Sequence, residues 1–251
     1  MENSYQFLSQ VYDKLMYDVD YDAYSDYIAQ LLGQEGIEQG VLYEAACGTG
    51  NLSFRLSKRG YQVYAFDKSP HMLEIAQQKA RENGQRILFG QQDMAHIEFA
   101  RRADAVVCGI DGVNYLSQLG QAKAFFEGAY SILKPRGMLI FDISSHYKLT
   151  EVLADQFFYE DGEDITYFWN NSWDREAMEV TMEITLFVRQ QDGRYVRRDE
   201  AHIQRAYESQ ELKQMLKEAG FAGIRAYGYL SDNAPEPQEM RIVFVAIKKA
   251  E

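Results

Sequence analysis

Glu44-Ala45-Ala46-Cys47-Gly48-Thr49-Gly50 places two glycines between a short apolar run and a helical pattern. Small residues at such a turn let a ligand approach backbone N–H groups, and in open α/β sheets the ligand crevice lies at the carboxyl ends of the strands. For the loop alone, a tight strand-to-helix turn without a ligand is an equally simple reading. Asp67 sharpens it, standing nineteen positions after Gly48 at the end of the next apolar run. A carboxylate there can accept both hydroxyls of a ribose, so loop and acid together describe an adenosine-type ligand. Gly48-Thr49-Gly50-Asn51-Leu52-Ser53 lacks the third glycine of the dinucleotide fingerprint, and no Gly-Lys-Ser/Thr string closes a phosphate loop. Pyrophosphate ligands lose ground accordingly.

The elements that must position these residues follow from periodicity. Apolar runs at 41–45, 62–66, 103–110 and 137–143 alternate with helical patterns at 52–59, 70–83 and 121–133. That alternation predicts a doubly wound, mostly parallel α/β sheet with helices on both faces. The helix over 70–83 is marked at both ends, by Ser69 as N-cap with Pro70 behind it and by Gly84 beyond. From 165 to 207 the period becomes two: Val180, Met182, Ile184, Leu186 and Val188 alternate with more polar neighbours. This predicts an antiparallel β insertion of three strands with an Asp192-Gly193 turn. A helix over 209–219 and two strands at 221–229 and 240–248 then resume the first pattern. The expected organisation is a core of 1–154 and 206–251 interrupted by an insertion at 155–205, which serves as a lid or a dimerisation surface.

Several strings together carry a family resemblance: Glu44 to Gly50, Asp67 with Ser69-Pro70-His71-Met72-Leu73, Gln92-Asp93-Met94, Asp111 to Leu116, and Leu133-Lys134-Pro135-Arg136-Gly137. In this order they resemble class I S-adenosylmethionine-dependent methyltransferases, and with Tyr12-Asp13 and the β insertion they resemble a bacterial small-molecule subgroup related to nucleotide-sugar N-methyltransferases. The resemblance covers residues 5–150 and resumes from 205. It implies a seven-stranded Rossmann-like fold and S-adenosylmethionine as cofactor. Gly48 and Gly50 would accommodate the methionine portion and Asp67 the ribose. Asp93 would take the adenine amino group and the Met94 backbone a ring nitrogen. Glu44 and Asp111 would face the ammonium, and Tyr12, Ala46, Lys68 and Met72 complete the expected cofactor set. Ala46 departs from the family's pattern, which has a glycine there.

Methyl transfer from a sulfonium needs an in-line nucleophile and exclusion of water more than it needs a metal. If the acceptor is a hydroxyl or an ammonium, a base must take its proton, and His146, Tyr147 and Tyr12 are the catalytic candidates. His146 reads equally as a surface histidine. His202 and Gln204 share one face of a strand, where structural or solvent-facing roles are expected, with substrate binding from a lid strand over the pocket as the alternative. Tyr159, Tyr167, Phe168, Trp169 and Trp173 are expected to pack between insertion and core, with stacking on an acceptor as the alternative. Arg194, Arg197 and Arg198 suit either a phosphate-bearing acceptor or a solvated hairpin end.

Composition bounds the rest. The chain has 251 residues, 46% of them hydrophobic, which fits one large folded domain or a core with a subdomain. Twenty-six basic against 38 acidic residues give a net charge of −12, opposing non-specific binding to nucleic acid or anionic membranes. No apolar run reaches the roughly 18 residues of a membrane span, and the start shows no export signal, so a cytoplasmic location is expected. Cys47 and Cys108 read as reduced core thiols, and no ligand spacing suggests a metal. The expected function is metal-independent methyl transfer to a nitrogen or oxygen of a small molecule, compatible with a homodimer. The alternatives are a non-catalytic S-adenosylmethionine-binding sensor or scaffold, and a nicotinamide-dependent oxidoreductase, which Ser53 in the third-glycine position disfavours.

Overall fold

In a computed structural model, which describes residues 7–99 and 101–250, the expected apolar runs form strands covered on both sides. The opening residues read for an export signal lie outside the described residues. Two helices that the periodicity did not reveal come first, α1 (Leu8–Leu15) and α2 (Tyr21–Gln34). The alternating part follows as β1 (Val41–Ala45), α3 (Asn51–Lys58), β2 (Gln62–Asp67), α4 (Pro70–Glu82), β3 (Leu88–Gln91), β4 (Ala103–Cys108), α5 (Leu119–Ile132) and β5 (Leu133–Ser144). As expected, Pro70 opens α4 and the Ser69 hydroxyl accepts the Met72 N–H at 3.3 Å.

After a π-helical turn at Lys148–Leu153, the insertion comprises β6 (Phe157–Asp161), β7 (Ile165–Asp174), β8 (Glu179–Arg189) and β9 (Tyr195–Arg205). It therefore has four strands and not three. The run Phe157-Phe158-Tyr159-Glu160-Asp161 shows no alternation, so its pairing with β7 was not visible in the pattern. The chain closes with α6 (Ser209–Glu218), β10 (Ala222–Gly228) and β11 (Arg241–Ile247).

The large sheet has seven strands in the order β10-β11-β5-β4-β1-β2-β3. All pairs from β5 to β3 are parallel, and β11 runs antiparallel to both its neighbours. Leu42, Ala105, Val107 and Ile140 pack on one face with Tyr24, Ile28, Leu56 and Leu73 of α2, α3 and α4. Tyr43, Val106, Leu139 and Phe141 pack on the other with Phe125, Phe126, Leu212 and Leu216 of α5 and α6. Two apolar faces explain why these strands read as near-continuous hydrophobic runs. The chain goes from β1 outward to β3 and then returns to β4 on the other side of β1. The carboxyl ends of β1 and β4 thus form the switch point at which such sheets bind ligands.

The second sheet, β6-β7-β8-β9, is antiparallel throughout. The alternating face of β8 turns inward: Val180 and Met182 meet Leu149 and Leu153 of the π-helical turn, while Leu186 meets Leu8 and Val11 of α1. The aromatic residues divide between the faces. Trp169 and Trp173 pack beside the first cluster and Tyr167 beside the second, but Tyr159 and Phe168 are exposed together with Phe157, which stacks on both. The expectation that all five pack against the core fails for those two, because adjacent residues of a strand point to opposite faces.

Candidate active site

The turn after β1 is built for close approach at Gly48 and for packing at Gly50. Both have positive φ, +53° and +80°. A Cβ at Gly48 would meet nothing within 4 Å, whereas one at Gly50 would come within 3.2 Å of Phe54 and 3.3 Å of Ala76 and Phe89. Ala46 is also left-handed, with φ of 52°, at the position where the broad family's pattern has a glycine. A non-glycine residue held there carries strain of about 1–2 kcal/mol.

A narrow cleft of about 40 Å³ opens over this turn, lined by Glu44, Ala46, Gly48 and Thr49 from below, Gly109 and Ile110 after β4, and Tyr12 and Tyr21 above. Of the three catalytic candidates, Tyr12 is the one the structure brings to this cleft. Burial, then Tyr21, Tyr115 and Asp111, push its phenol well above the ordinary range. Glu44 is buried and accepts the Ser53 hydroxyl; burial pushes its carboxyl up to about 8. Asp67 ends β2 and accepts the N–H groups of Gly48 and Ser69, each at 2.8 Å, so it holds the turn. Burial raises its pKa, and those N–H groups offset part of the rise.

Asp93 lies beyond β3. Its carboxylate accepts the Ala95 N–H at 2.9 Å and pairs with Lys68 at 2.9 Å, so two of the expected cofactor residues bind each other. Met72 and Met94 are buried behind them. The S-adenosylmethionine expected here fits the chemistry of the groups present: an open backbone at Gly48, a carboxylate at Asp67 able to accept from hydroxyls, and a buried carboxyl at Glu44 able to accept from an ammonium.

Asp111 stands in a network the sequence did not reveal. Ile110 and Asp111 are both left-handed at φ 53°, and their N–H groups donate to the buried Asp142 carboxylate at 2.7 and 2.8 Å. Tyr24 also donates to Asp142, and Arg241 pairs with both Asp142 and Asp111, the latter at 2.6 Å. Gln204 of the insertion donates to the other Asp111 oxygen at 2.9 Å. Burial would raise the Asp111 carboxyl, but Arg241 and Lys148 outweigh it and hold it below the ordinary range. His202, on the same face of β9 as Gln204, is buried beside Glu200 at 3.4 Å. The solvent-facing alternative for this pair is thereby excluded.

His146 and Tyr147 line a different space, a cavity of about 410 Å³ beyond β5 that Glu208, Glu236 and Glu239 also border. His146 Nε2 lies 3.3 Å from Glu208. Where one crevice was expected for His146, Tyr147 and Tyr12, the structure places the first two at one cavity and Tyr12 at another. Cys47 and Cys108 are buried free thiols whose pKa values burial raises. No metal-ligand cluster and no helix long and apolar enough to cross a membrane occur among the described residues.

A family profile described as a methyltransferase domain matches residues 42–137. A candidate methyltransferase of Geobacillus sp. (strain WCH70) is 38% identical over 98% of this chain and 100% of its own length. YqeM, a candidate methyltransferase of Bacillus subtilis (strain 168), is 38% identical over 97% of both chains. Among solved structures, an S-adenosylmethionine-dependent methyltransferase from Clostridium acetobutylicum ATCC 824 superposes with a TM-score of 0.89 at 31% identity, covering 98% of this chain and 99% of that one.

Proposed function

The chain belongs to the class I S-adenosylmethionine-dependent methyltransferases, and from that premise we propose that it methylates a nitrogen or oxygen of a small molecule by in-line, metal-independent transfer. The observation that carries this reading is the cleft at the switch point, where Glu44, Gly48 and Tyr12 converge beside Asp67. When bound, S-adenosylmethionine supplies an electrophilic methyl group on a sulfonium, which needs alignment and dryness and no Lewis acid. In this reading the open backbone at Gly48 admits the methionine portion, Glu44 faces its ammonium, and Asp67 accepts the ribose hydroxyls. Asp93 and the Met94 N–H take the adenine edge. Asp111, already shared between Arg241 and Gln204, shapes the wall beside the methyl group and reaches the ammonium through water.

Tyr12 shields the reacting atoms from water, and its raised pKa keeps the phenol protonated, so it orients an acceptor by donating a hydrogen bond. Where the acceptor must lose a proton, His146 beside Glu208 and Tyr147 are the base candidates, and they serve only an acceptor that extends into the cavity they line. Residues 155–205 act as a distinct insertion on a core of 1–154 and 206–251. The two buried thiols fit a reducing, cytoplasmic setting.

The test is a mass-spectrometric screen of cell extract with purified protein and isotope-labelled S-adenosylmethionine. A small molecule labelled on nitrogen or oxygen is expected, with turnover unaffected by a chelator. A product labelled on carbon, or turnover lost to the chelator and restored by a divalent ion, would overturn the corresponding part of the reading.

A further inference from the structure

The cleft beneath Tyr12 measures about 40 Å³. Pockets for small molecules commonly span about 300–1,000 Å³, and movement of a lining element would widen this cleft toward that size. Most of the lining is the turn after β1 and the end of β4, both seated in the sheet. Tyr12 is different, because it rides on the short helix α1.

The two sides of α1 are held by different forces. Toward the insertion the contact is largely apolar: Leu8 and Val11 bury against Ile165 and Leu186, with Leu15, Tyr167 and Ile184 alongside. The Glu200 carboxylate of β9 also accepts the N–H groups of Phe7 and Leu8 at 2.9 and 2.7 Å, where the positive end of the helix favours an anion. Toward the core Tyr12 is hydrogen-bonded to Tyr21 of α2, and the remaining hydrogen bonds gather on one side chain. Asp13 accepts from the Thr49 hydroxyl at 2.6 Å, the Asn51 amide at 2.8 Å and the Lys79 ammonium at 2.7 Å. Thr49 and Asn51 belong to the turn that lines the cleft, and Lys79 lies on α4. Asp13 is half-exposed, so water can replace its partners when it leaves, whereas separating α1 from the insertion would expose apolar surface. The weaker seam therefore runs between α1 and the core.

We propose that Asp13 is the latch of the cleft, a positioning residue that holds Tyr12 over the turn and whose release lets the Asp13 end of α1 tilt off the turn, pivoting on its apolar contact with the insertion, to admit and discharge the cofactor. The proposal rests on the reading of the cleft as the cofactor site. Its distinguishing mark is kinetic. A latch controls passage in both directions, so weakening it must speed association as well as dissociation, while a residue that only supports the bound form changes dissociation alone.

The experiment measures association and dissociation rates of S-adenosylhomocysteine by surface plasmon resonance on the full chain, for the wild type, Asp13→Ala and Lys79→Met. Lys79→Met cuts the latch from the α4 side; it also removes the Lys79 bond to Asn51 at 2.6 Å, and it leaves the Thr49 bond and α1 in place. Both variants are expected to raise both rates by about fivefold to tenfold, with a smaller change in Kd than in either rate. Hydrogen exchange at β1 and β5 confirms that the variants are folded, and α1 amides bonded to Glu200 are expected to keep their protection. Wild-type binding with unchanged rates in both variants, or with dissociation alone accelerated, overturns the latch and leaves the cofactor site standing. No binding by the wild type overturns the site and the latch together.

Discussion

Gln204 donates its side-chain amide to Asp111 at 2.9 Å, joining the last strand of the insertion to the corner that ends β4. That corner is costly in itself, because Ile110 and Asp111 both sit in the left-handed region, where a non-glycine residue costs about 1–3 kcal/mol. It persists because Asp142 binds both N–H groups and Arg241 pairs with both carboxylates. One guanidinium from β11 thus supports a wall of the cleft and, through Asp111, the seat of the insertion.

Arg241→Met should be strongly destabilising for that reason. It removes the cation that ion-pairs with Asp111 and Asp142 and leaves only the charge of Lys148 nearby, and removing one partner of a buried ion pair costs about 3–5 kcal/mol. Urea unfolding at neutral pH measures the loss. A midpoint equal to that of the wild type would mean that Lys148 or solvent already compensates the two acids.

The signals that the sequence displayed were local ones. Gly48, Asp67 and Asp93 stand at strand ends next to turn residues, and Ser69-Pro70 marks a helix start, so each could be read from its neighbours. Asp142 is a single acid inside the apolar stretch of β5, and Arg241 heads an otherwise apolar strand. Their meeting depends on β11 pairing antiparallel with β5, with Arg241 opposite Ser144, a register that no local pattern encodes. Gln204 reaches Asp111 only because β9 returns to the core, and Asp13 meets Lys79 only once α1 is laid across α4. Alternation showed that the insertion has two faces. It did not show which of them would keep Phe157 and Tyr159, exposed at 57% and 69%, away from the core.

Ala46→Gly should stabilise the protein. Ala46 has a φ of 52°, and a glycine there removes the Cβ penalty at the cost of greater freedom in the unfolded chain, a net gain of about 0.5–1 kcal/mol. In a chain of this size that corresponds to a Tm rise of roughly 1–4 °C in a thermal scan. A fall in Tm would show that the Ala46 methyl group contributes more by packing than its backbone costs.

Asp67→Ala should weaken binding of S-adenosylhomocysteine. Each hydrogen bond to a charged group contributes about 1.5–3 kcal/mol, and the variant also frees the Gly48 and Ser69 N–H groups that shape the turn. Asp67→Asn, which keeps one acceptor oxygen, should lose less. Calorimetry giving undiminished affinity in a folded Asp67→Ala protein would remove Asp67 from the ribose position.

Glu44 should release a proton when the cofactor binds at neutral pH. Burial raises its carboxyl from an ordinary 4.5 to about 8, so at pH 7 the folded protein holds a proton there that the unfolded chain has lost. Stability therefore falls as pH rises between these two values, by on the order of 5 kcal/mol at most, and the cost is complete above the folded value. Glu44→Gln should flatten that slope in denaturant titrations. An ammonium placed beside Glu44 favours its charged form and drives the proton out. Calorimetric titration with S-adenosylmethionine at pH 7, in buffers of different ionisation enthalpy, should then report release of up to about one proton. The release should vanish in Glu44→Gln, and in the wild type well above pH 8, where the carboxylate is already charged. Binding at pH 7 with no proton released would place the cofactor's ammonium away from Glu44.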